Sequence, residues 1–344
     1  MNPILVLALF ALVPPPQSVP VVPCAAQTDP VQSSEDAADD PALWVHPTDP
    51  ALSLVIGTNK KSGLVVYALD GRTLQTLDDG RMNNVDVVQG PGKPGLVIAS
   101  NRSDQTLALY RVDAAARQLV RVEGPAIPTG LDEVYGLCAY TDPASRRTIA
   151  VVGSKGGVVR FIDLQDDAFK PAARVVREFT VGGQIEGMAA DPERGVIYIG
   201  EEDVGLWQYS LNPAAEPARR LVDVVKSPDR AIAGNLAADV EGVTIFDAGH
   251  GRGFIIASCQ GENRFAVYDR VDLSYRGSFA LAMSRDAAPP DRVTETDGIH
   301  VHAGSLGPAF PHGVFIAQDD NEGSQQNFKL ADWSKVADAL RLAK

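Results

Sequence analysis

The chain has almost no cysteine. Cys24, Cys138 and Cys259 are its three cysteines in 344 residues, and none sits in a CxxC or other metal-ligand spacing. That excludes a disulfide-dense scaffold and a cysteine-held zinc or iron–sulfur centre. Cys138 and Cys259 are left as one disulfide or two buried thiols. Positive charge is also in short supply: 31 lysines and arginines against 44 acids leave a net charge of −13. General nucleic-acid binding needs a basic footprint, so no nucleic-acid partner is expected. Beyond the N-terminus no apolar run is long enough to cross a membrane as a helix. Helix-type periodicity is scarce too. Its exception is WSKVADALRLAK at the C-terminus, where Trp333, Val336, Leu340 and Leu342 recur at near-helical spacing.

Several phosphate and hydrolase signatures are missing. No GxxxxGK[ST] loop and no GxSxG elbow occurs. Cys259 and Arg264 stand at the wrong spacing for a cysteine phosphatase, and no Arg-His-Gly run is present. His300 and His302 form an H-x-H that would share one strand face, which suits zinc, but no third ligand stands at a convincing spacing. A solvated or hydrogen-bonded pair is the simpler reading.

The first residues stand apart. MNPILVLALFALV is an apolar run of signal-peptide length, followed by PPPQSVPVVPCAAQ, which reaches small residues at Ala25 and Ala26. The expectation is a signal over residues 1–26, cleaved near Ala26, and one domain over 27–344. The protein would then be secreted or periplasmic, with no stable membrane insertion after cleavage. A membrane anchor or a lipid on Cys24 are the alternatives, although Pro23 directly before Cys24 suits a lipidation box poorly. Residues 1–26 carry no charge, so the mature chain keeps the whole acidic excess.

What the chain does contain is short β-type runs between Gly, Pro, Asp and Asn turns. LSLVIGTN, GLVIASN, RTIAVVGS, GVIYIGEE, GFIIASCQ and HGVFIAQDD are each followed by a second run of similar character. The second runs carry Tyr67, Tyr110, Phe161, Tyr209, Tyr268 and Phe328, at spacings of 43, 51, 48, 59 and 60 residues. An all-β repeat of roughly 40–60 residues predicts a propeller. The expected fold is a six-bladed β-propeller of four-stranded antiparallel sheets with a short C-terminal helix; a pair of β-sandwiches is the competing reading.

Acids recur beside these strands: Asp39 and Asp40, Asp86, Glu186, Glu201 to Asp203, Asp239 and Glu241, Asp291, Asp297, and Asp319 with Asp320. One such pair is normally a solvated turn. Acids at matching ends of successive repeats point to hard cations, calcium foremost, then magnesium or manganese. Asp239 and Glu241, two apart, would face the same way on a strand. Lys60 and Lys61, Arg102 and Lys155 each follow the first strand of a pair in three successive repeats. A lone turn lysine serves solubility, whereas cations at one place in three repeats suit an anion of several charges.

At this point the residues resemble a known family, the β-propeller phytases, which are calcium-dependent alkaline 3-phytases. DAADDPALWVHP, TNKKSGLVVY, NNVDV, SNRS, DEVYG, EGMAADPERGVIYIGEED, DVEGVTI, SCQG, TDGI and QNFKLADW occur in the family's order between residues 36 and 333. The resemblance implies several calcium ions and stepwise release of phosphate from phytate (myo-inositol hexakisphosphate), bound as its calcium complex. It implies metal ligands at Asp39, Asp40, Asp86, Glu186, Glu202, Asp239, Glu241, Asp291 and Asp297, with an amide oxygen from Gln260. It implies phosphate contacts from Lys60, Arg102 and Tyr135, with Lys61 adjacent. A second phosphate would meet Lys155 and Lys61. Where the family often reads Gly-Lys-Glu-Gly, this chain has Gly153-Ser154-Lys155-Gly156, and His300 stands where an acid is common.

The expected chemistry is attack by a calcium-activated water, with Glu186 and Glu241 orienting it and Lys60, Arg102 and Tyr135 steadying the phosphate. A monomer is expected. A lactonase or phosphotriesterase of propeller type would share the acids without needing the lysine and arginine set. A non-enzymatic binding propeller would need neither row.

Overall fold

The computed structural model describes residues 18–90, 93–165, 172–227, 232–283 and 291–343. Six sheets follow one another along the chain, over residues 38–77, 82–121, 134–180, 185–224, 243–282 and 299–332. The first is typical: Ala38–Trp44, Leu54–Asn59, Gly63–Ala68 and Thr73–Leu77 pair antiparallel in chain order. The first strand of each sheet touches the first strands of both neighbours, and the sixth touches the first, so the sheets are blades of a closed ring. The inner strands of all six blades line a cavity of about 210 Å³ along its axis.

Each blade is covered on both faces, which explains the near-continuous apolar reading of its middle strands. Every residue of Leu54–Asn59 and Gly63–Ala68 is buried. The recurring aromatic falls on the third strand of every blade and is buried in all six. The core is split into six apolar clusters, one between each pair of neighbouring blades. Tyr67 of blade one meets Phe328 of blade six edge-on, with ring centroids 6.1 Å apart.

Ring closure uses the N-terminal side of the chain. Blade six takes its outer strand from Ala26–Gln27, antiparallel to Gln325–Asp332. Val21–Pro23 adds to blade five as a fifth strand, parallel to Tyr275–Ala282, with Val22 opposite Leu281. Val22 is buried between blades five and six. A cut after Ala26 would therefore remove all of Val21–Pro23 and half of Ala26–Gln27. Ala38–Trp44, which holds the first aspartate pair, is the inner strand of blade one and not the closing strand.

Helix Trp333–Leu340 is capped by Asp332 and buries Val336 and Ala337. Trp333 stacks on Phe246 at 4.2 Å, sealing blade six to blade five. All three cysteines are buried and unpaired, so Cys138 and Cys259 are two thiols. No described helix is long and apolar enough to cross a membrane.

Candidate active site

The site is a ring of equivalent positions. In blades one to four the register pairs Ala38 with Asn59, Met82 with Asn101, Val134 with Ser154 and Ile185 with Glu201. Just beyond each pair the ladder slips: two inner-strand residues oppose one on the second strand. A bulge of this kind re-aims the side chains beside it. Each blade thereby offers one inner residue and one residue that follows the second strand. Blade one presents Asp39 and Lys60, blade two Asn83 and Arg102, blade three Tyr135 and Lys155, and blade four Glu186 and Glu202. Glu241 and Gln260 take the same places in blade five, and in blade six Asp297 takes the inner place while Asp320 lies inside the second strand, Val314–Glu322. Glycine follows the inner residue in blades three to six because the inner strands converge there. A Cβ on Gly187 would lie 2.3 Å from the Glu241 carbonyl oxygen, and one on Gly242 2.6 Å from that of Asp297.

The ring is divided by charge. One side gathers buried carboxylates around a single lysine. Lys60 Nζ lies 2.6 Å from Asp36, 2.9 Å from Asp297 and 3.6 Å from Asp39. Burial works against its ammonium, but Asp39, Asp297 and Glu186 outweigh it and raise the pKa. Oxygens of Glu186, Glu202 and Glu241 come within 4.8 Å of one another. Burial pushes Asp39 and Glu202 up to about 7. Burial and then Asp297 push Glu241 up to about 11. Glu186 is raised well above the usual range, first by burial and then by Asp39 and Glu241. Both oxygens of Asp39 and one of Glu202 are buried without a hydrogen-bond donor. Buried polar atoms are rarely left so. An all-oxygen set, over-rich in negative charge and short of donors, fits a hard divalent cation. Gln260 Nε2 bonds Glu241 and, at 2.8 Å, Asp297, which links blades five and six.

The other side carries the cations. Arg102 and Lys155 both lie over the ring of the blade-three tyrosine, 5.3 Å and 4.7 Å from the Tyr135 ring centroid. Burial and then Glu186 raise the Tyr135 hydroxyl, so it stays a neutral donor. Asn83 joins the two sides. Its Nδ2 donates to Glu186 Oε1 at 2.5 Å and its Oδ1 accepts from Arg102 Nη1 at 3.0 Å. Lys60, Tyr135, Glu241, Gln260 and Asp297 open together onto a cleft of about 510 Å³.

Carboxylates and cations at equivalent positions of one ring suit phosphate handling, and comparison with known proteins agrees. A family model described as Phytase matches residues 11–343. The chain is also 39% identical over 330 residues to the 3-phytase of Bacillus subtilis (strain 168), covering 91% of this chain and 84% of that protein. The chain belongs to the phytase family.

Not every residue that the family resemblance implied enters the ring. Asp40 and Asp86 face the axial cavity. Asp40 Oδ2 accepts from the Val85 N–H at 3.0 Å, and Asp86 from the Ala139 and Val87 N–H groups, each at 2.7 Å. Burial still pushes Asp86 up to about 6. Lys61 turns aside, its Nζ 2.5 Å from the Ser34 carbonyl oxygen. Asp239 and Glu241 precede the strand Val243–Gly249, so strand alternation does not set their directions. Burial and then Asp203 raise Asp239. Asp291 lies apart, paired with Lys329 at 2.9 Å. Burial and His302 lower His300 to about 4, and neither histidine joins a candidate metal cluster among the described residues. The residue that sequence reading passed over is Asn83. In NNVDV the eye goes to the charged Asp86, whereas counting from the repeat puts Asn83 level with Asp39 and Glu186.

Proposed function

We propose that this chain releases phosphate stepwise from phytate, taken as its calcium complex, with calcium ions held on the acidic side of the ring. The observation that carries this is the division of one structural position into cations on blades one to three and acids or amides on blades four to six. Phytate is a dense polyanion and the chain is strongly acidic, so the two need intervening positive charge. Calcium held by Asp39, Glu186, Glu202, Asp239, Glu241, Gln260 and Asp297, with Asp40 and Asp86 towards the axis, would supply a Lewis acid and acidify water beside the phosphate.

The protein's own groups do the positioning. Lys60, Arg102 and the Tyr135 hydroxyl bind the oxygens of the phosphate to be cleaved and meet charge as it develops there. Glu186 and Glu241 orient the attacking water, Glu186 being fixed by its bond from Asn83. Lys155, beside Tyr135, holds a neighbouring phosphate, with Lys61 joining it only on leaving the Ser34 carbonyl oxygen. The chain acts as a monomer, exported to the periplasm or beyond. The strand made by Val21–Pro23 favours a cut ahead of it over one near Ala26.

Phosphate release from phytate should vanish on chelation and return with calcium, and Glu186→Gln should lower turnover sharply in a folded protein. Turnover that survives thorough chelation refutes the calcium reading. Turnover of lactones or phosphotriesters in preference to phytate points to a different propeller hydrolase, and calcium binding with no turnover to a binding module.

A further inference from the structure

Acids gather a second time, where the ring closes. Oxygens of Asp291, Asp319 and Glu322 lie within 4.8 Å of one another. Asp319 and Glu322 belong to the second strand of blade six, Val314–Glu322. Gln27 reaches the same point from the closing strand Ala26–Gln27. By donor chemistry this is a hard-cation cage, and Asp291 is one of the ligands that the family resemblance implies.

The cage already has a cation. Lys329, on the third strand of blade six, enters it with its side chain 0% exposed. Its Nζ lies 2.9 Å from Asp291 Oδ2, 3.2 Å from Asp319 Oδ2 and 2.6 Å from Gln27 Oε1, and it also bonds Glu322 Oε1. A calcium ion would need those oxygens at about 2.3–2.6 Å from its own centre. That centre is where the ammonium stands, and two cations cannot share it. Burial disfavours the ammonium, but Glu322, Asp291 and Asp319 outweigh burial and keep the lysine charged. In the active-site ring Lys60 also stands among three acids, but the separate cluster of Glu186, Glu202 and Glu241 forms no ion pair with a lysine or arginine among the described residues, whereas every acid of this cage meets Lys329.

We propose that Lys329 is a built-in substitute for a metal ion, so that this chain fastens its N-terminal strand to blade six without calcium at Asp291. The closure then holds at low calcium, whatever the occupancy of the active-site ring.

The test counts calcium ions per chain by calorimetric titration and follows thermal unfolding with and without calcium. Asp291→Asn should leave the calcium count of the protein unchanged. Lys329→Gln should unfold several degrees lower without calcium, bind one additional ion per chain, and recover most of the lost stability when calcium is added. A count that falls by one in Asp291→Asn overturns the proposal, as does a Lys329→Gln protein that gains no ion and no calcium-dependent stability. Should Lys329→Gln fail to fold, the Asp291→Asn count decides, with Lys329→Arg as the folded control expected to keep the unaltered count. If the parent chain binds no calcium at all, the function proposed above fails, and the extra ion in Lys329→Gln still decides this one.

Discussion

Replacing Asp39 by asparagine should make the calcium-free protein more stable at alkaline pH. Asp39 is fully buried, and neither carboxylate oxygen has a hydrogen-bond donor. Burial lifts its pKa to about 7 against the downward pull of Lys60, the next largest influence, and Asp297 and Asp36 add to the rise. The sign follows from linkage. The folded state binds this proton more tightly than the unfolded state, so the group costs nothing below about pH 4 and costs more as pH rises through 7. A rise of about three units amounts to about 4 kcal/mol above pH 7, of which roughly 2–3 kcal/mol accrues between pH 5 and pH 8. For a chain of this length that is about 4 °C in Tm. Asparagine keeps the shape and does not ionise, but burying its amide returns roughly 1–2 kcal/mol as a penalty. Calorimetry in chelator should therefore show the two melting curves converging toward low pH: Asp39→Asn no better than the parent near pH 5, and about 3–5 °C higher near pH 8. Added calcium should reverse the order at pH 8, because the variant has lost a ligand. The reasoning is refuted if calcium-free Asp39→Asn melts below the parent at both pH values by the same margin.

Asn83→Ala should lower kcat/KM roughly 10- to 100-fold, the worth of its bonds to the charged Glu186 and Arg102, with most of the loss in kcat. A variant with an unchanged kcat and only a lower Tm would reduce Asn83 to a structural part. A chain beginning at Gln27 should unfold below one beginning at Ser18 by at least about 2–4 °C, from the buried Val22 alone. Equal melting temperatures, or an exported protein whose measured mass begins at Gln27, would show the strand Val21–Pro23 to be dispensable.

Much of the architecture was legible in the chain itself. Every blade buries the same strand in the same way, so Tyr67, Tyr110, Phe161, Tyr209, Tyr268 and Phe328 repeat, and counting them counts blades. Lys60, Arg102 and Lys155 were legible for the same reason, since a repeat brings equivalent positions to one end of the ring. The strands Val21–Pro23 and Ala26–Gln27 were hidden, because residues that resemble a cleaved leader are apolar for the same reason that buried strands are.

Composition and repeat thus determined the fold class, the blade number and the two charged rows. Tertiary structure decided what each acid meets. Asp39 is left without a donor, Asp86 is capped by two backbone N–H groups, and Asp291 finds an ammonium. The difference is physical. A carboxylate's preference for a metal, a proton or a lysine is set by burial and by the few charges within a few ångströms. In a closed ring those neighbours come from distant stretches of the chain, as Lys329 does for Asp291 and the Ala139 N–H of blade three does for Asp86 of blade two.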